Sequence, residues 1–146
     1  MKNAELILSR FLEAKQLFNS SDYVVKDIDE YAFSIRTSNS DLNKLKKVLV
    51  VAVVHGNEIG GIECIFQLSK WFSQSANDCI ELTFALGNVP AVILGKRFVD
   101  IDLNRSFSVS SGNKTEHFLA QRLENLINNV DVVVDLHQTI QPSEFG

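Results

Sequence analysis

The stretch that most constrains this chain is residues 48–54, VLVVAVV, followed without a break by HGNEIGG. Seven consecutive apolar residues, rich in valine and closed by turn formers, read as a strand buried on both faces. Such a strand needs cover above and below, so it belongs in a sheet with helices packed against it. His55 and Glu58 fall in the loop at its C-terminal end, the edge where α/β proteins build their sites. A second apolar run, residues 132–136, ends in the same way on His137. Two strands thus bring two histidines and a glutamate toward one edge of one sheet.

The remaining patterns supply that sheet and its cover. Residues 3–19 carry Ala4, Ile7, Leu8, Phe11, Ala14 and Phe18 at helical spacing, which predicts an amphipathic outer helix. Residues 23–28 and 31–36 read as two strands around an Asp29-Glu30 turn, with Tyr31, Phe33 and Ile35 alternating onto one buried face. Residues 37–41 are a polar loop. A helix is predicted over 58–72, where Ile62, Ile65, Phe66, Leu68, Ser69 and Phe72 form its apolar face. Gly60 and Gly61 in its first turn cost roughly 1 kcal/mol each against alanine, which points to close backbone packing, a crowded site or a ragged helix start. Residues 80–86 are a further strand. Residues 87–111 show no sustained periodicity, and a connection that long is functional or disordered. Helix returns over 115–128, with Phe118, Leu119, Leu123, Leu126 and Ile127 facing inward, and the last strand spans 130–137. Trp71 and the phenylalanines read as core. The alternation predicts an α/β fold: a mixed, mostly parallel sheet flanked by helices. One domain is expected, with residues 1–45 as helix plus hairpin and 46–146 as the core that carries the site.

Composition removes several function classes. With a net charge of -4 and no basic run, the chain offers no nucleic-acid surface; Lys44, Lys46 and Lys47 read as a solvated loop. No apolar run approaches the roughly 18 residues of a membrane span, so no membrane partner is expected. The N-terminus carries acids and lacks a small-residue cleavage site, unlike a secretion signal. Two cysteines make no disulfide framework, and Cys64 reads as a small buried hydrophobe. The expected location is the cytoplasm.

The chemistry-bearing residues fall in three places. Zinc favours imidazole nitrogen and carboxylate oxygen, and catalytic sites use three protein ligands with a position left for water. His55, Glu58 and His137 make such a set. Alone, each also fits an ordinary strand end, with Glu58 as a first-turn acid near a helix dipole. Asp135 shares a strand face with His137; it either orients that imidazole or pairs with Arg105. In the long loop, GKRFVDIDLNRSF gathers Lys96, Arg97, Asn104 and Arg105. An arginine forks onto a substrate carboxylate, an asparagine amide can donate beside it, and a second arginine can hold an oxyanion. Alternatively, Asp100 and Asp102 neutralise these arginines in a surface network. His117 reads as solvated.

HGNE, then GNVPAVILGKRFVDIDLNRSF, then DLHQT, in that order, resemble the succinylglutamate desuccinylases and aspartoacylases, relatives of the zinc carboxypeptidases. The resemblance covers residues 48–139. It implies a zinc carboxypeptidase-like fold, zinc held by His55, Glu58 and His137, Arg97 polarising the scissile carbonyl, and Asn104 with Arg105 gripping the substrate carboxylate. The implied activity is hydrolysis of the amide bond of an N-acyl amino acid. The helix and hairpin ahead of HGNE, the GKR phrasing and the helix carrying Glu116 resemble the desuccinylase side. Three departures stand out: Val89 separates Asn88 from Pro90, residues 139–142 read TIQP where desuccinylases show alanine and arginine, and the family's general base, a glutamate well downstream of DLH, is not present in the chain. Glu144 lies too near His137 in sequence to replace it. The expectation is therefore the front part of a larger catalytic domain, inactive or nearly so by itself. Its incomplete sheet edge is where a second copy would pair. A peptide-cleaving zinc carboxypeptidase and a non-catalytic metal-binding or interaction module are the alternatives.

Overall fold

The computed structural model describes residues 2–75, 77–108 and 112–138. In chain order these form α1 (Lys2–Gln16), β1 (Tyr23–Asp29), β2 (Ala32–Thr37), β3 (Lys46–Ala52), α2 (Gly61–Gln74), β4 (Ile80–Leu86), α3 (Val89–Ile93), α4 (Thr115–Ile127) and β5 (Val132–Leu136). A short 3-10 turn at Leu103–Arg105 interrupts the long connection before α4.

The five strands make one mixed sheet in the order β1-β2-β4-β3-β5. β4, β3 and β5 run parallel, and the β1-β2 hairpin adds antiparallel strands beside β4. β3 is thus central among the parallel strands, and its apolar run from Leu49 to Ala52 is buried on both faces. Val50 and Ala52 point into a core shared with α1 and α2, built on Phe11, Phe18, Phe33, Phe72 and Phe84. Leu49 and Val51 point the other way, into a smaller core under Ala120 and Leu123 of α4 and Leu103 of the 3-10 turn. Each fully buried side chain of this size contributes roughly 2 kcal/mol. Arg122 of α4 ties this second layer down, bonding both Asp29 carboxylate oxygens and the Leu86 carbonyl.

Several expectations need correction. The strand stops at Ala52 because Val53 adopts a φ of 62°, a left-handed conformation that costs a β-branched residue about 1–3 kcal/mol. Its carbonyl turns to accept from the Asn88 amide at 2.7 Å. α2 begins at Gly61, not at residue 58, because residues 55–60 are spent forming the site turn. A Cβ on Gly61 would meet Ala52 Cβ at 3.0 Å and Leu136 Cβ at 3.3 Å, so close packing of α2 on the sheet explains this glycine. The stretch after β4 is not structureless: the Asn88 side chain caps α3 by accepting from the Ala91 amide, with Pro90 in the first turn. Trp71 and Phe118, expected inside, are 55% and 60% exposed, since α2 and α4 each cover the sheet with a narrower face than their composition suggests. Cys64 is exposed as well. No helix among the described residues is long and apolar enough to cross a membrane.

Candidate metal centre

The turn after β3 builds half of the site from four residues. Gly56 is required there: a Cβ would come within 2.4 Å of both the Ala91 carbonyl carbon and the Lys96 oxygen. Without that side chain, the Gly56 amide reaches the Arg97 carbonyl at 2.9 Å. The turn leaves His55 1% exposed and Glu58 4% exposed, and the Glu58 amide closes it on the His55 carbonyl.

The two oxygens of Glu58 divide the site between two strands. Oε1 lies 3.0 Å from His55 Nδ1, and Oε2 lies 2.9 Å from His137 Nδ1. Parallel pairing of β3 with β5 sets Ala52 beside Leu136, which carries His137 to the same sheet edge. The ligand atoms of His55, Glu58 and His137 all lie within 4.8 Å of one another. Each imidazole turns Nδ1 inward while its Nε2 meets a second carboxylate: Asp102 Oδ1 at 3.2 Å for His55, Asp135 Oδ2 at 2.8 Å for His137. Inward nitrogens with carboxylate-backed outer nitrogens are the arrangement that metal-binding histidines use. The donor set fits zinc.

Arg97 lies over the same carboxylate. Its Nη1 donates to Glu58 Oε1 at 3.0 Å, its Nη2 lies 3.1 Å from His55 Nε2, and it faces Asp102 at 3.8 Å. His55 Nε2 therefore has partners of opposite sense. It accepts from Arg97 when Nδ1 carries the proton, and donates to Asp102 when Nδ1 is bare. Burial raises the Glu58 carboxyl, but the His137 bond, the Gln138 amide and the charges of both imidazoles outweigh it and hold the group below the usual carboxylate range. Burial lowers His137, and its contacts with Glu58 and Asp135 overcome that and raise it. Burial likewise raises Asp102, while the bond to His55 and the Asn104 amide pull it down.

The structure brings together His55, Glu58, His137, Asp135 and Arg97. Asp135 pairs with His137, and no Arg105 pairing forms among the described residues. Asn104 and Arg105 sit beside this group on the 3-10 turn, both exposed. Residues 139–142 and Glu144 lie outside the described residues. Sequence reasoning missed Asp102 as a partner of His55, treating it as a surface neutraliser; its one local signal is the Asp-x-Asn turn, in which Asp102 accepts from the Asn104 amide at 3.0 Å. It missed the contacts of Gln138, whose amide donates to Glu58 Oε2 and whose side chain accepts from Gly60. His117 is half-buried against Gly112, with Nδ1 3.4 Å from the Lys114 amide, not simply solvated.

An α/β sheet that gathers two imidazoles and a buried carboxylate at the C-terminal ends of neighbouring parallel strands defines a metal-site class of fold. The comparisons narrow it. Residues 44–145 match the model of the succinylglutamate desuccinylase/aspartoacylase catalytic domain, and the chain belongs to that family. It is 39% identical over 101 residues to a probable aspartoacylase of Prochlorococcus marinus, covering 65% of this chain and 34% of that protein. A probable aspartoacylase of Nostoc is 32% identical over 108 residues, covering 67% and 37%. The fold matches the succinylglutamate desuccinylase of Vibrio parahaemolyticus with a TM-score of 0.71 at 20% identity, over 87% of this chain and 47% of that one. The chain thus spans about a third of the length of these curated relatives and about half of that solved structure.

Proposed function

We propose that this chain carries the zinc-binding part of a hydrolase that cleaves the amide bond of N-acyl amino acids. The observation that carries the reading is the pair of Nδ1 atoms converging on the two oxygens of Glu58, each imidazole backed by its own carboxylate. His55, Glu58 and His137 would hold the ion. Bound there, zinc supplies Lewis acidity and a nucleophilic water near neutral pH. Asp102 and Asp135 orient the two imidazoles. Arg97, whose side chain is 43% exposed, has N–H groups free to donate to a substrate carbonyl and to the oxyanion that develops on it. Arg105 and Asn104, exposed on the adjacent turn, present a fork and an amide to the carboxylate of the amino-acid half.

Proton transfer is the part this group of residues does not supply. Among the described residues the carboxylates that touch the site are Glu58, Asp102 and Asp135, and each is engaged by a histidine. General-base help is worth about 10²- to 10⁴-fold, so with these carboxylates alone zinc is expected to bind while N-acyl amino acids are hydrolysed slowly or not at all. Metal analysis of the purified chain beside His55→Ala is the test. Stoichiometric zinc in the first and its loss in the second are expected; equal zinc in both would end the metal reading. A parallel assay with N-acetyl, N-succinyl and peptide substrates checks the slow turnover: rapid hydrolysis by this chain would overturn it, and the substrate it prefers would then separate a deacylase from a carboxypeptidase.

A further inference from the structure

Glu116 is fully buried at the second position of α4, and its carboxylate faces away from its own helix. Oε1 accepts from the Val99 amide at 2.6 Å and from Asn88 Nδ2 at 3.1 Å. Oε2 accepts from the amides of Asp100 and Ile101 at 3.0 and 3.2 Å. Helix-dipole stabilisation alone would ask nothing of a neighbouring loop. Here three successive loop amides turn onto one side chain, and the loop answers: Asp100 Oδ2 accepts from the Thr115 amide at 2.8 Å.

These bonds close a ring around the metal centre. On one side, the Asn88 amide donates to Val53, two residues before His55. On the other, the clamped amides lie between Arg97, which reaches Glu58, and Asp102, which reaches His55 Nε2. We propose that Glu116 is a positioning residue of this site: it sets the 99–101 backbone so that Asp102 and Arg97 meet His55 and Glu58, although it touches none of the proposed ligands. The inference rests on the zinc reading above.

A glutamine at this position replaces one acceptor oxygen with a donor. Whichever way the amide turns, two of the four N–H groups then face an N–H group. The experiment measures zinc affinity by chelator competition in wild type, Glu116→Gln, Asp102→Asn and the double variant, with thermal unfolding of each. Outer partners of ligating histidines typically contribute 10- to 100-fold to affinity, so Glu116→Gln is expected to weaken zinc about tenfold. Because part of its action passes through Asp102 and the rest through Arg97, its effect should be smaller once Asp102→Asn is present. A residue that only stabilises the fold would cost the same in both backgrounds, and that result overturns the proposal. Hydrogen exchange at Val99, Asp100 and Ile101, followed without metal, gives a second readout: protection should fall in Glu116→Gln, and retained protection also overturns the clamp. Should Glu116→Gln not fold, Asp100→Ala at an exposed position opens the same staple from the loop side. It should weaken zinc several-fold in the wild-type background and by less beside Asp102→Asn; no effect in the wild-type background counts against the proposal. A wild type that takes up no zinc sinks the metal reading and this inference together. That outcome is distinct from a wild type and a Glu116→Gln chain that bind zinc equally, which sinks the inference alone.

Discussion

The ends of β3 and β5 deliver one histidine each to the same carboxylate, yet they are built differently. β3 lies between two parallel neighbours with helices on both faces, and its turn leaves His55 and Glu58 buried, with Gly56 wedged against α3 and Lys96. Among the described residues β5 lies at the edge of the sheet, and Val132, Val133 and Val134 are exposed on successive positions and hence on both faces. The His137 side chain is 37% exposed and that of Asp135 41%. One half of the site is held by packed backbone, the other by hydrogen bonds open to water. Pre-organisation should therefore be concentrated on the β3 side.

The largest expected difference concerns the two glycines that flank the turn. Gly56→Ala places a methyl group against the backbone of α3, which cannot give way, and should destabilise the fold by about 3 kcal/mol. Gly60 has a φ of -64°, and its nearest neighbour is the end of the Gln138 side chain at 3.0 Å. Gly60→Ala should therefore stay within about 0.5 kcal/mol of the parent. Urea midpoints measure both, and equal losses would mean the β5 side is as tightly packed as the β3 side.

A smaller difference is expected between the two carboxylates behind the histidines. Asp102→Asn takes the charge from the partner of a buried imidazole and should weaken zinc at least ~10-fold. Asp135→Asn weakens a bond that water can replace, and a loss of no more than about threefold is expected. Chelator competition on the two variants decides the matter; a reversed order would place the pre-organised half at β5.

The smallest effect is on pH dependence in the metal-free chain. Glu58 is depressed, so its contribution is present above its ordinary value near pH ~4.3 and is lost as the pH falls through the lower folded value. His137 is raised, so its contribution is complete below about pH 6.5 and is lost as the pH rises through the higher folded value. Stability should peak between these limits. Exposure of His137 keeps its part below about 1 kcal/mol. Zinc binding displaces its proton, so with zinc added the decline on the alkaline side should turn into a gain. Unfolding followed across pH with and without zinc tests both limbs.

Most of the fold is legible where the signal is local. The period-two pattern of residues 31–36 and the helical spacing of Ala4, Ile7, Phe11, Ala14 and Phe18 became β2 and α1, because each face is decided within a few residues. The grouping of the HGNE and DLH residues was legible too, since His55 and Glu58 lie in the turn after β3 and His137 follows β5 at once. Burial was less so. Val132 to Val134 resemble Val48 to Val51 in sequence, and nothing in either run says which strand is central and which is the edge. Phe118 and Trp71 went astray for the same reason: apolar character does not say how much of a helix its neighbours will cover.

By itself the sequence determined the strands, the three longer helices to within a few residues, the three candidate ligands and the loop that carries Arg97, Asn104 and Arg105. The tertiary structure alone decided that β3 separates β4 from β5, that Asp102 backs His55, and that Glu116 gathers the loop between them. Those decisions pair residues 47, 79 and 28 positions apart, for Asp102 with His55, His137 with Glu58, and Glu116 with Asn88. Periodicity reports on neighbours within one helical turn or one strand. A hydrogen bond across such distances exists only after the sheet has set its strand order and the helices have closed over it.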